Sequence, residues 1–241
     1  MILRWLISFS LAVWISCATA SGGSVTGSVS LIDSRDPTVR SGKNFSGVVV
    51  WLEPVGNATI LAVRTALRAE VDQKNKKFVP HILAIPVGST VDFPNSDPIF
   101  HNAFSNFEGK VFDIGLYAPG TSRSVRFDRP GVVRVFCNIH PTMSAVIVVL
   151  NTPYFAETNR DGQFQIPNVP AGEYILRLFH ERASASTIES LVRRVNVRDN
   201  AAVISPIAIS ESGFLPLRHK NKYGKEYPPA EEDSFYPGAK K

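Results

Sequence analysis

Short runs rich in Val, Ile and Phe recur along most of this chain, cut apart by clusters of Gly, Pro, Asn and Asp, and nothing else in the sequence constrains its folding as strongly. Runs of β-branched and aromatic residues interrupted this often leave no room for a sustained helical period, so they specify strands. Ser24–Leu31, Gly47–Leu52, Phe78–Ile85, Thr90–Phe93, Ser122–Phe127, Val132–Cys137, Ala145–Leu150, Gly162–Ile166, Glu173–Phe179 and Val192–Val197 are read as strands. Between 63 and 71, Val63, Thr65, Leu67, Ala69 and Val71 alternate with Arg64, Ala66, Arg68 and Glu70, a period of two that favours one more. The expected class is all-β, with one large or two small domains.

Residues 1–20 read as a secretory signal. Arg4 supplies the positive start, Trp5–Ile15 is apolar but shorter than the ~20 residues a membrane-spanning helix needs, and Ala18-Thr19-Ala20 offers a small-x-small cleavage site before Ser21. No later stretch is long and apolar enough to span a bilayer. The expectation is an exported, periplasmic protein without a transmembrane segment. Of the 2 cysteines, Cys17 leaves with the signal and Cys137 remains, which excludes an internal disulfide in the mature chain. A second reading makes Cys17 a lipid anchor, with Ser16 before it but Trp14 where such sites usually carry Leu. The formal net charge of +5 is too small to nominate a nucleic acid or any particular acidic partner.

That one cysteine sits in Cys137-Asn138-Ile139-His140-Pro141-Thr142-Met143, directly after one expected strand and before the next. The loop would present a thiolate, an imidazole and a thioether at one end of a sandwich. Soft sulfur, imidazole and weak thioether suit copper, and two His and one Cys in a plane with a long axial Met make an electron-transfer copper site. The second imidazole would come from His101. Residues 78–95 read as a hairpin turning near Gly88, after which the chain leaves its strand at Asn95 and enters a loop that ends at His101. The same reflection places His81 opposite Asn95, at the ligand end, as a group bonded behind the ligands, a fifth ligand, or an ordinary strand histidine. Other chemistries fit less well. A c-type haem needs a second cysteine, and structural zinc prefers four Cys or His ligands. A nucleophilic enzyme with Cys137 attacking and His140 or His101 as base leaves Met143 unexplained. Taken singly, Cys137 and Met143 could be core residues and His140 a loop cap.

Phe78-x-Pro80, Val87-Gly88-x-Thr90-Val91-x-Phe93-x-Asn95-x-Asp97, His101-Asn102, Pro130-Gly131 and Cys137-x-x-His140-x-x-Met143, in that order, resemble the cupredoxin family of blue copper proteins. The match covers roughly residues 60–150; the short Cys-to-Met spacing is most similar to the amicyanin and pseudoazurin branch and to bacterial methylamine-utilisation-type proteins. The resemblance implies a Greek-key β-sandwich with one type 1 copper, held by His101, Cys137 and His140 in the plane and Met143 on the axis. It implies that Asn102 donates its backbone N–H to the thiolate and ties the two ligand loops together, and that His140 lies nearest the surface as the electron port. It further implies an electron carrier rather than an enzyme, working with a redox partner protein.

Asn159-Arg160-Asp161-Gly162-x-Phe164-x-Ile166-Pro167-x-Val169-Pro170-Ala171-Gly172-x-Tyr174-x-Leu176 resembles a carboxypeptidase regulatory-like domain, a small transthyretin-like sandwich. Such a domain normally begins with strands like Val25-x-Gly27-x-Val29 and Gly47–Leu52, which here precede the copper motif. The division expected is 21–58 as N-terminal strands, 59–150 as the copper domain, 151–210 as the second sandwich and 211–241 as a polar, peripheral tail. Residues 21–58 then either complete a sandwich split by the copper domain or enlarge the copper domain itself. Contacts of Val48 or Val50 with 162–179 distinguish the two. The alternative function is copper delivery or scaffolding, with the second sandwich recognising a carbohydrate or a protein. Asn44-Phe45-Ser46 and Asn57-Ala58-Thr59 match glycosylation acceptors. In the tail, Lys220, Lys222 and Lys225 interleave with Tyr223 and Tyr227, a pattern of either a solvated tail or a docking element for an acidic partner.

Overall fold

The structure, a computed structural model, describes residues 23–56, 66–106, 109–198, 202–215 and 219–227. The signal segment with Cys17, the acceptor at Asn57 and the boundary at 58 lie outside the described residues. In chain order the elements are β1 (Gly23–Ile32), α1 (Pro37–Arg40), β2 (Val49–Pro54), β3 (Arg68–Glu70), β4 (Asp72–Gln73), β5 (Phe78–Val79), β6 (Ile82–Pro86) and β7 (Thr90–Pro94). There follow β8 (His101–Ser105), β9 (Phe112–Tyr117), β10 (Ser122–Arg126), β11 (Gly131–Phe136) and β12 (Ser144–Leu150). The last are β13 (Phe155–Glu157), β14 (Gln163–Val169), β15 (Gly172–Phe179), α2 (Ala185–Ser190), β16 (Arg193–Val197), β17 (Ala202–Val203) and β18 (Ile207–Ser210). The chain is all-β in class, as its strand-and-turn pattern dictates. No described helix is long and apolar enough to cross a membrane.

The strands make two sandwiches. A five-stranded sheet in the order β6-β12-β11-β8-β9 faces a three-stranded sheet β10-β7-β3, and Ile85, Val91, Phe93, Val125, Phe127, Val133, Val135 and Ile147 fill the space between them. The second pair of sheets is β13-β2-β15-β16 and β14-β1-β17, with β18 also paired to β1. Its core holds Val25, Val50, Leu52, Phe164, Ile166, Leu176, Leu178 and Ile209. In this pair β2 hydrogen-bonds to β15, with Val50 opposite Leu178 and Leu52 opposite Leu176.

Period-two alternation explains how the sandwiches meet. Along β12, Ala145, Ile147 and Val149 point into the first core, while Val146, Val148 and Leu150 join Val49, Ile82 and Ala84 in a third apolar cluster. Trp51 and Phe179, on the reverse side of the second sandwich, pack on the same cluster. A strand covered on both faces must be apolar at every position, and Ala145–Leu150 is such a run.

Two local expectations are corrected. Residues 78–95 are not a hairpin: β6 pairs in parallel with β12, whereas β7 pairs with β10 and β3 in the opposite sheet. The turn at Gly88, whose φ of +91° favours glycine, carries the chain across the core rather than back along the same sheet. Of the alternating stretch at 63–71, residues 63–65 lie outside the described residues and only Arg68–Glu70 is a strand.

Candidate metal centre

β11 and β12 are antiparallel neighbours, and the pair Phe136 and Ser144 closes the loop that carries Cys137, His140 and Met143. The loop folds back on itself. The Cys137 N–H donates to the Met143 carbonyl at 3.2 Å and the Met143 N–H to the His140 carbonyl at 3.1 Å. Cys137 and Met143 are fully buried in the first core, and His140 is half-buried at its rim.

His101 is the first residue of β8, not the end of a loop, and is completely buried. β8 pairs with β11 through Phe104 and Phe136, which brings the start of one strand beside the end of the other. The His101 Nδ1 stands 3.9 Å from the Cys137 Sγ, and the His140 Nδ1 stands 3.6 Å from it. The two rings are 4.8 Å apart, centre to centre, at 59°. All three donor atoms lie within 4.8 Å of one another, the only such group of three or more His, Cys, Asp or Glu among the described residues. Donors held about 2.0–2.3 Å from one metal ion in a trigonal plane stand about 3.5–4 Å apart, so both sulfur-to-nitrogen separations fit.

The preceding turn orients His101. The Asn95 side chain donates to the Ile99 carbonyl at 2.8 Å and accepts from the Asp97 N–H at 3.2 Å. The Asp97 carboxylate then takes the N–H groups of Asn75 at 2.6 Å and Lys76 at 2.8 Å, and accepts from the His101 Nε2 at 2.8 Å. Burial works against this carboxylate, but the Lys76 N–H, the His101 ring and the Asn75 N–H outweigh it and hold Asp97 below its usual range. With the proton on Nε2 facing an anion, the Nδ1 lone pair is directed at the thiol. Asp97 belonged to the sequence pattern without a role; its role depends on the Asn75 and Lys76 N–H groups of the β4–β5 turn, which the pattern does not name.

Burial pushes the Cys137 thiol up, opposed by the backbone N–H groups of Ile139, Asn102 and His140 aimed at the sulfur. Asn102 also accepts from the Asn138 N–H at 3.3 Å through Oδ1 and donates through Nδ2 to Asp113 at 2.8 Å and to the Gly115 carbonyl at 2.9 Å. It thereby links the strand bearing His101 to the loop bearing Cys137.

His81 is not brought to the donors. Its Nδ1 faces the Ser144 carbonyl at 2.9 Å and its Nε2 faces Glu181, in the second sandwich, at 2.8 Å. It approaches the 137–143 loop through Ser144, the residue after Met143. Of the expected peripheral tail, 216–218 and 228–241 lie outside the described residues, and parts of the rest are docked on the sandwiches. Glu211 is buried between His180 and Arg182, at 2.8 and 2.9 Å. Residues 219–227 lie on the Cys137 loop, where the His219 ring stacks on Phe136 at 4.2 Å. The apolar period that marks core segments is missing there because the contacts are made by hydroxyl, ring and main-chain groups.

Neither a family model nor a curated sequence matches the chain. Solved structures do. A purple cupredoxin from Nitrosopumilus maritimus is 28% identical over 34% of this chain and 99% of its own, with a TM-score of 0.31. A copper-containing nitrite reductase from Thermus scotoductus is 25% identical over 51% of this chain and 28% of its own, with a TM-score of 0.34. An amicyanin variant is 22% identical over 34% of this chain and 81% of its own, with a TM-score of 0.33.

Proposed function

We propose that the chain is an exported, periplasmic type 1 copper protein that passes single electrons between partners, with His101, Cys137, His140 and Met143 as the residues that would hold the copper. The observation that carries this reading is the triangle of two imidazole nitrogens and one sulfur, in which His101 meets Cys137, 36 positions on, and His140 of the same loop, which main-chain bonds close on itself. When bound, copper would supply one-electron chemistry by alternating between Cu(II) and Cu(I).

The protein residues do the rest. Asp97 fixes the His101 ring, and the three N–H groups around the sulfur hold it in place. Burial of Cys137 and Met143 keeps water from that side. His140, the half-buried member of the set, is the edge through which an electron leaves. The strands before 55 and after 154 are read as one sandwich interrupted by the copper unit, a reading supported by the pairing of β2 with β15.

Potentiometric titration of the copper-loaded protein tests the carrier role. A reversible one-electron wave with fast reoxidation by a small electron acceptor is expected; a loaded protein that holds copper but neither accepts nor gives electrons would reassign it to delivery or scaffolding.

A further inference from the structure

The segment 219–227 closes a ring of hydrogen bonds around one peptide unit, the one joining Cys137 to Asn138. On one side the Asn138 N–H is held by Asn102. On the other, the Tyr227 hydroxyl donates to the Cys137 carbonyl at 2.6 Å. The Lys222 N–H donates to the Asn138 side-chain oxygen at 3.0 Å, and its ammonium reaches Asp113 at 2.7 Å, the carboxylate that also receives Asn102. His219 completes the contact, stacked on Phe136 and 3.2 Å from the Tyr227 oxygen.

We propose that this segment is a strap belonging to the metal centre, and that Tyr227 is a positioning residue for the thiolate ligand. The claim rests on the copper reading above. A peptide plane pinned at both its carbonyl and its N–H cannot rotate, and the Cys137 side chain is attached to that plane. Tyr227 touches no reacting atom; it acts through the Cys137 main chain. These attachments also explain why a polar stretch with no apolar period lies on the sandwich: its fit is to the ligand loop and not to a core.

The full-length protein carrying Tyr227→Phe tests this, with His219→Ala as a second variant and Tyr223→Phe, an exposed tyrosine of the same segment, as control. In the metal-free protein the rate at which iodoacetamide alkylates Cys137 is measured. Loss of one hydrogen bond should make the loop open about fivefold more often, and the rate should rise about fivefold in both variants and stay at the wild-type value in the control. In the copper-loaded protein the thiolate-to-copper absorption band and the reduction potential should both shift in Tyr227→Phe. Wild-type alkylation rate, band and potential in that variant would overturn the strap while leaving the copper reading intact, and so would a change confined to the melting temperature. A wild-type protein that forms no thiolate–copper complex would overturn the copper reading and the strap's role in the centre together.

Discussion

The donor triangle is set by residues that touch no metal, and Asp97 is the clearest of them. Its carboxylate sits against the outer nitrogen of His101 and is itself held by two main-chain N–H groups. A fixed negative charge beside a ligand stabilises the more positive oxidation state, with a strength that grows as water is excluded. Asp97→Asn keeps the shape and an acceptor oxygen but removes the charge. The reduction potential should therefore rise, by tens of millivolts, and the bound metal should be lost more readily; an unchanged potential would show that Asp97 acts through its hydrogen bonds and not through its charge. The residues of the 137–143 loop were legible in the sequence because ligand spacing within one turn is local. The roles of Asp97, Asp113 and Tyr227 were not, because each depends on partners far away in the chain: Asn75 and Lys76 for Asp97, Lys222 for Asp113, and the Cys137 carbonyl for Tyr227.

Elements tell the same story. The strands with continuous Val and Ile, such as β12, were readable, since an apolar run between turn residues permits little else. β8 was not. His101, Asn102 and Ser105 are three polar residues in a strand whose five positions are all buried, so period-two alternation is absent where the site needs polar groups inside. The Asp161-Gly162 turn ahead of β14 was readable from its residues, and the structure shows why glycine is needed there. Gly162 has a φ of +76°, and a Cβ at that position would stand 1.9 Å from the Val29 carbonyl oxygen, an atom of the β1 backbone that cannot swing aside. Gly162→Ala should destabilise the fold by about 2–4 kcal/mol, read as a lowered melting temperature, because strain and a main-chain clash add. A loss under about 0.5 kcal/mol would mean that β1 and β14 separate at little cost.

At the scale of the whole molecule, the third apolar cluster joins the two sandwiches, and the pair His81 and Glu181 crosses the same boundary. Both His81 nitrogens face acceptors, the Ser144 carbonyl and the Glu181 carboxylate, so the doubly protonated ring satisfies both. The hydrogen bond to Glu181 raises the His81 pKa from its ordinary 6.5, against burial and the nearby Arg182. Burial works against the Glu181 carboxylate, but His81, Arg182 and Arg134 outweigh it and lower its pKa from 4.5. The histidine's contribution to stability is full below 6.5 and fades as pH climbs through its raised value. The glutamate's is full above 4.5 and fades as pH falls through its lowered one. The difference in melting temperature between wild type and His81→Gln should therefore be widest between about pH 5 and 6 and narrow above neutrality. A difference that stayed constant with pH would remove the charge from the account. The proposal is that one copper ion is held by His101, Cys137, His140 and Met143. Its most direct test is to add Cu(II) to the purified metal-free protein and record visible absorption and electron paramagnetic resonance. An intense thiolate-to-copper band at one copper per chain, absent in Cys137→Ser, is the predicted result; a colourless complex with a tetragonal copper signal, unaffected by that substitution, would contradict it.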